Sequence, residues 1–594
     1  MAHSFHIPVM GTSYTIDTPI KVAHLGIDSV ISLSDDVLME KLRKMYCKWF
    51  EMPYAEISSN TDHSRSKRIT AYLDTIHSIA TRKFESLCNS IHESKEEIKK
   101  YMSLLPDTSS LKQRLYAYLS VPSSDAEVQK KISDALIMGR IGVNIMTKVD
   151  RENYRHGKVL PIEYNDAHAA LLGFANSRLH GPVIFSAGLN PRLYNFIETL
   201  PGFMPDENGY VAKQIVLKVS DYRSAWIQGK YLAKKGLWVS AFKIESGLNC
   251  GGHAFATDGF LMGPILHELF KKKDELQKEM YALYKAALIK KGIPLPEKNP
   301  TFRLMAQGGV GTADEHQLLL NHYHLSSVGW GSPFLLVPEA TTVDRDTIHK
   351  LAAAGPDDLY LSYISPLGIP FNNLRGNTKD IEKQERIDAG NPGSKCPRKY
   401  LAFDKTYDDK GICSASTKYQ HIKIQELNDK SLSVEDYQKA YHNITEKACI
   451  CTGLSVSALL HYHLNHRIEG NGVTVCPGPN IQWFTREASL EEMTGHIYGR
   501  NNLINDSNRP HMFINELALY VRYLKENIVV KCNADEIDAK YVHSFIDNLN
   551  QGIQYYHDLY VELSNTEHAL PVEFPLQLDN YSNLIKQVQS DISA

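Results

Sequence analysis

One pattern constrains this chain more than any other: a short apolar run bounded by Gly or Pro, then a stretch with helical spacing, then another apolar run. The runs lie at 141–145, 182–186, 214–218, 237–242, 302–306 and 326–330, and helix candidates at 191–199, 222–235, 262–291 and 313–321 fall between them. Strand followed by helix, repeated, is what a parallel sheet requires, because a parallel neighbour is reached only by a crossover running back along the sheet. Such a sheet is either doubly wound or closed into a barrel, and the pattern alone does not choose. One junction carries sound helix-start chemistry, since Thr312 can cap a helix with Glu315 three positions on.

Ahead of these runs, 18–33 reads as extended pieces around Gly26, a first strand. The stretch 36–135 then turns helical, with Leu38, Leu42, Met45 and Trp49 near one face, and reads as an insertion after that strand. After Pro338 the alternation stops. Segment 358–375 reads as two short extended arms around Pro366 and Gly368, and 376–395 is polar with Gly and Pro, a linker. Three units follow: an α/β unit over 1–375, a cysteine-bearing region over 376–488 and a mostly helical region over 489–594. With 594 residues, 43% hydrophobic and 22% charged, the chain has the apolar mass for a large globular core.

Lys and Arg number 65 against 68 Asp and Glu, a formal net charge of −3. There is no basic surplus to neutralise a nucleic-acid backbone. The run Lys271, Lys272 and Lys273 sits in a helical stretch and reads as a solvated face. The N-terminal residues show no basic start or apolar core, and no run of about 18 apolar residues occurs. The expectation is a cytoplasmic protein without nucleic-acid or membrane partners, with homo-oligomerisation left open.

Three segments carry chemistry. Lys243-Ile-Glu-Ser-Gly-Leu-Asn-Cys-Gly-Gly-His253 places an imidazole on a Gly-rich turn at a strand end, where barrels keep catalytic loops. A histidine there either caps the turn or serves as a base, and its near-neutral intrinsic pKa suits proton abstraction. Met305-Ala-Gln-Gly-Gly-Val-Gly-Thr312 is again a strand running into glycines and then a helix, and Val328-Gly-Trp-Gly-Ser-Pro-Phe334 follows one strand later. Glycines let a backbone approach an anion, and adjacent Gly-rich strand ends form the phosphate site typical of the last two strands of a barrel.

Taken in order, these segments resemble the nitronate monooxygenase / 2-nitropropane dioxygenase family. Residues 247–253 resemble its Gly-x-Glu-Ala-Gly-Gly-His turn, 306–314 its Ala-Ala-Gly-Gly-Ile strand end, and 329–334 with Pro338-Glu339 its Gly-x-x-x-Gly-Thr-Arg-Phe segment. Gly142-Val-Asn144 resembles its early Gly-Val-Asn strand and 365–374 the hairpin after its barrel. The resemblance implies a (β/α)8 TIM barrel that binds FMN without a metal. It implies that Asn144, Gly251, Gly252, Gln307, Gly308, Gly309, Gly331 and Ser332 hold the cofactor and that His253 is the base deprotonating a carbon acid. Asn249-Cys250 stands in place of Glu-Ala and Ser332-Pro333 in place of Thr-Arg. The family's first-strand Pro-Met-Ala-Gly is absent, with Pro19-Ile-Lys-Val-Ala-His-Leu-Gly26 in its place. Enoyl reductases of polyketide synthesis, which share the glycines, make reduction of an enoyl thioester the alternative. A barrel that has lost catalysis and serves as a scaffold is a third reading.

Cys396, Cys413, Cys449, Cys451 and Cys476 crowd into one region, with 16, 35, 1 and 24 residues between successive members. A reducing compartment favours metal or redox chemistry for such a group over disulfides, and an iron–sulfur cluster or zinc is one expectation. Burial as small apolar residues is the other. An iron–sulfur cluster beside FMN would make the protein an electron-transfer enzyme. His461, His463 and His466 are a weaker candidate group, as only 463 and 466 can share a helix face.

Overall fold

A computed structural model describes residues 1–90, 96–120, 126–504, 506, 508–534 and 536–593. Eight parallel strands close into a barrel: β1 (Phe5–Ile7), β2 (Asp28–Ser32), β3 (Ile141–Ile145), β4 (Gly181–Phe185), β5 (Lys213–Val219), β6 (Val239–Glu245), β7 (Arg303–Gln307) and β8 (Ser327–Gly329). They pair in chain order, and β8 returns to β1 through Phe5 beside Val328 and His6 beside Gly329. Closure leaves no sheet edge to pair with another chain. Inside the barrel, Val30, Ile184, Val216, Ala241 and Met305 form a small apolar layer. Lys218, Glu245 and Gln307, described below, lie above it, two or more residues further along their strands.

The six runs between 141 and 330 are strands β3 to β8. The first strand is elsewhere than expected. Thr18–Val22 is a helix, begun by Pro19 in its first turn, and Gly26 takes a left-handed φ of 83° to turn the chain into β2. The three-residue β1 precedes it and ends in Pro8-Val9-Met10-Gly11, the proline, methionine and glycine sought near Pro19. The helical insertion therefore follows the second barrel strand. It comprises helices Asp36–Trp49, Ser64–Asn89, Glu96–Leu104, Ser110–Leu119 and Ala126–Ala135. Asp35 caps the first of these, and the buried Asp36 beyond it takes Arg65 at 2.7 Å and Arg68 at 3.0 Å. Part of the insertion builds its own small core around Ile98, Tyr101, Met102 and Leu115.

After the barrel, β9 (Leu359–Ser362) and β10 (Phe371–Leu374) form the antiparallel hairpin expected at 358–375. The chain beyond it returns to the barrel. Residues as far apart as Phe5, Leu261, Val475, Leu517, Tyr556 and Val588 share one continuous apolar core. Helix Met262–Lys271 lies so close to helix Ala539–Leu563 that a Cβ on Gly263 would stand 2.4 Å from the Tyr556 ring. No helix among the described residues is long and apolar enough to cross a membrane.

Candidate active site

The site is built at the C-terminal rim of the barrel, where the ends of β6, β7 and β8 stand side by side. After β7, Gly308 and Gly309 take φ of 107° and 87°, a left-handed backbone that side chains resist. The helix after them starts on a capping box: Thr312 Oγ1 accepts from the Glu315 N–H, and the Glu315 carboxylate accepts from the N–H groups of Thr312 and Gly311. The N–H groups of Gly308, Gly309, Val310 and Gly331 donate to no acceptor among the described residues. Consecutive unpaired N–H groups in a left-handed turn ahead of a helix form a concavity that favours an anion. Ser332 Oγ accepts from the Gly478 N–H at 2.7 Å, which leaves its own proton to donate. Gly331 lies beside Pro8 and Met10, so the end of β1 walls the same spot.

Below this rim is a charged floor in which the expected Gln307 is joined by Lys218, Glu245, Lys243 and His6, none of which the sequence pattern singled out. Lys218 on β5 stands 3.0 Å from both carboxylate oxygens of Glu245 on β6. Gln307 Nε2 donates to the same carboxylate, while Gln307 Oε1 is buried without a partner. Gly329 makes room for the Gln307 side chain, since a Cβ there would meet Gln307 Cβ at 2.7 Å. Deeper still, the buried Lys243 Nζ donates to His6 Nε2 at 2.8 Å, and His6 Nδ1 meets Ser327 Oγ at 2.8 Å. Burial, then the neighbouring Lys218 charge, bring Lys243 down to about 7. The visible signal for these residues was charge at the end of otherwise apolar strands. Asn144 on β3 is buried, its amide donating to the Ile184 carbonyl at 3.0 Å.

His253 sits on the turn after β6, held by the hairpin: Asn372 N donates to Gly252 O, Ala254 N to Pro370 O, and Asn372 Nδ2 to Cys250 O. Its ring packs edge-on against Phe371, 5.1 Å between centroids. Ser365 Oγ lies 2.7 Å from His253 Nε2 and accepts from the Leu367 N–H; a His253 tautomer that donates Nε2–H to Ser365 keeps Nδ1 as the basic nitrogen. Burial pushes the pKa of His253 down to about 4, which keeps the ring neutral at physiological pH. Cys250 packs against the Gly308 turn, its thiol 3.7 Å from Gln307 O.

The distal chain completes this rim. A Cβ on Gly251 would meet Cys476 O at 2.4 Å, Asn480 Nδ2 donates to Val310 O, and Arg509 Nη2 donates to Gly309 O at 2.8 Å. Arg509 also forms a buried ion pair with Glu315 at 2.6 Å. Glu516, from helix Met512–Tyr523, accepts from Ser246 Oγ at 2.6 Å and from the Met262 N–H, and burial raises it to about 7. None of these distal partners was anticipated.

The five cysteines divide. Cys476 lies against Gly251 and Gly252, apart from the other four. Cys396 neighbours Cys413, and Cys449 neighbours Cys451. All are free thiols. Among the described residues no three His, Cys, Asp or Glu side chains are gathered about one point to hold a single ion. His461 and His466 turn to the backbone carbonyls of Val343 and Leu464.

No protein-family profile and no curated protein matches the chain. Solved structures to which it is similar include FabK from Thermotoga maritima, 14% identical, covering 63% of this chain and 80% of that one at a TM-score of 0.31. The enoyl reductase domain of MlnA from the macrolactin biosynthesis cluster of Bacillus amyloliquefaciens is 13% identical, covering 66% and 86%, at 0.33. Nitroalkane oxidase from Streptomyces ansochromogenes is 10% identical, covering 84% and 94%, at 0.34. Likeness this distant adds nothing to the chemistry, and the barrel stands on its own strand pairing.

Proposed function

We propose that this protein is an FMN-dependent oxidoreductase of the nitronate monooxygenase-like kind, acting on a small or thioester-linked carbon acid. The observation that carries the reading is the set of unpaired N–H groups at Gly308, Gly309, Val310 and Gly331, supplied by two adjacent strand ends with Ser332 free to donate. These groups suit a phosphomonoester. The orphaned Gln307 Oε1 and the Lys218 ammonium on the floor supply an acceptor and a positive charge for a polar ring edge. FMN held there would supply two-electron oxidation and reduction. His253, neutral and cornered by Ser365, takes the proton from the substrate carbon. A neutral imidazole favours the carbon-acid reading over enoyl reduction, in which the group supplying a proton must begin protonated.

The full chain, freshly purified, is expected to be yellow and to release FMN on denaturation. Anaerobic bleaching of that flavin by a neutral nitroalkane, whose carbon still carries the proton, supports the carbon-acid reaction. Reoxidation of reduced protein by an enoyl thioester, without such bleaching, replaces it with the enoyl reductase. A colourless protein that takes up no added FMN overturns both and leaves the barrel as a binding scaffold.

A further inference from the structure

The barrel interior beneath the charged floor carries more positive charge than its carboxylates offset. A small cavity there is lined by Lys243 on β6, His6 on β1, Arg303 on β7 and Arg140 just ahead of β3, with Asp28 on β2 as the acid among them. The rest of its wall is the apolar layer around Val30, Ile184, Val216 and Met305. Neither the Gly-rich turns nor Lys218, Glu245 and Gln307 line it, so the cavity is separate from the groups proposed to meet the flavin.

Pairing leaves two cations over. Arg140 donates to Asp28 through Nε at 2.9 Å, Nη2 at 2.8 Å and its backbone N–H at 2.7 Å, which occupies that carboxylate. Glu245, two residues beyond Lys243 on the same strand, is taken by Lys218 and Gln307. Among the described residues, the buried Lys243 and the half-buried Arg303 form no ion pair. Lys243 Nζ meets His6 Nε2, which leaves two of its three protons to donate. Arg303 Nη1 reaches the Met1 sulfur at 3.9 Å, and the other guanidinium N–H groups have no acceptor among the described residues. Burial, then the Arg140 charge, lower Arg303 only to about 10, so it stays charged at neutral pH. Two cations facing one cavity repel each other, and burial removes the water that would screen them. An anion between them relieves both costs.

We propose that this cavity binds one small monovalent inorganic anion of the halide class, held between Lys243 and Arg303. The spare N–H groups of these two side chains supply the donors and the charge. Val30, Ile184, Val216 and Met305 offer no hydrogen bond, so a multivalent anion such as sulfate would lose more hydration on entry than the donors replace. The site does not depend on the flavin reading, because its readout is anion binding and not turnover.

The test uses the full chain dialysed into gluconate at fixed ionic strength. Chloride replacing gluconate should raise the thermal midpoint along a saturating curve, and bromide should do the same. Arg303→Met and Lys243→Met should each weaken chloride by about tenfold or more, the weight of a charged hydrogen bond. Should either variant fail to fold, a wild-type crystal grown with bromide gives the reading without mutation: one anomalous peak is expected between Lys243 and Arg303. Equal midpoints in chloride and gluconate, a shift that never saturates, or a saturable shift that survives both substitutions overturns the proposal. So does bromide bound only outside the barrel.

Discussion

At the scale of single residues, His253 is an imidazole whose proton affinity burial has lowered, and the proposed reading makes it the base. A base works in its unprotonated form, and a pKa near 4 means that this form persists well below neutrality. The pH profile of kcat/KM is therefore expected to stay flat down to about pH 5, where an unperturbed histidine would already have lost activity below its usual ~6.5. His253→Ala should keep the flavin and lower substrate-dependent flavin reduction by about 10²–10⁴-fold. Unchanged reduction kinetics would instead make His253 a turn-stabilising residue. Arg509 belongs to this scale too. It neutralises the buried Glu315 and holds Gly309 O, so Arg509→Met leaves a carboxylate buried and unpaired. A loss of about 3–5 kcal/mol in denaturant unfolding is expected, with weaker flavin retention.

At the scale of elements, the Gly-rich loops proposed to hold phosphate lean on a short segment from outside the barrel. Because a Cβ on Gly251 would stand 2.4 Å from Cys476 O, Gly251→Ala must displace the segment that carries Gly478 and Asn480. Flavin dissociation constants should rise by tenfold or more while the secondary structure seen by circular dichroism stays intact. An unchanged affinity would show that the segment only covers the loops. The same scale shows what was legible in the sequence. Strands β3 to β8 announced themselves because each is an apolar run closed by Gly or Pro. Strand β1 did not, since three residues display no period, and Thr18–Val22 reads as extended although Pro19 starts a helix there. The Gly-rich loops and His253 were legible because each motif is contiguous. Glu516 against Ser246, Arg509 against Glu315 and the Ser365 hydroxyl at His253 were not, because each contact joins residues more than a hundred positions apart and no local pattern encodes such a meeting.

At the scale of the whole molecule, burial of imidazoles sets the acid limit of stability. His3, His24, His253 and His511 are all pushed down to about 4 by burial, and His316 to about 3. The unfolded chain takes up protons at these positions near 6.5 while the folded chain refuses them until about 4. Stability is thus full above about pH 6.5 and falls as pH drops from there toward 4. Urea midpoints measured at pH 7.5, 6.5 and 5.5 should decline across the last interval far more than across the first. A flat series would mean that these rings are solvated in solution.

The way the barrel closes has a temporal side. Strand β1 pairs with β8, so no closed barrel exists until Gly329 has been synthesised, and the Gly-rich loop after β7 lacks Asn480 and Arg509 until the chain has grown well beyond it. At ~5–20 residues per second, roughly ten to forty seconds separate the emergence of Gly329 from that of Arg509. For that interval a nascent chain on the ribosome holds a barrel whose rim shows the apolar surface later covered by Leu517, Tyr520 and Tyr556. In that window the exposed apolar surface is of the kind chaperones bind, and the Gly-rich rim is complete only after Arg509 has emerged.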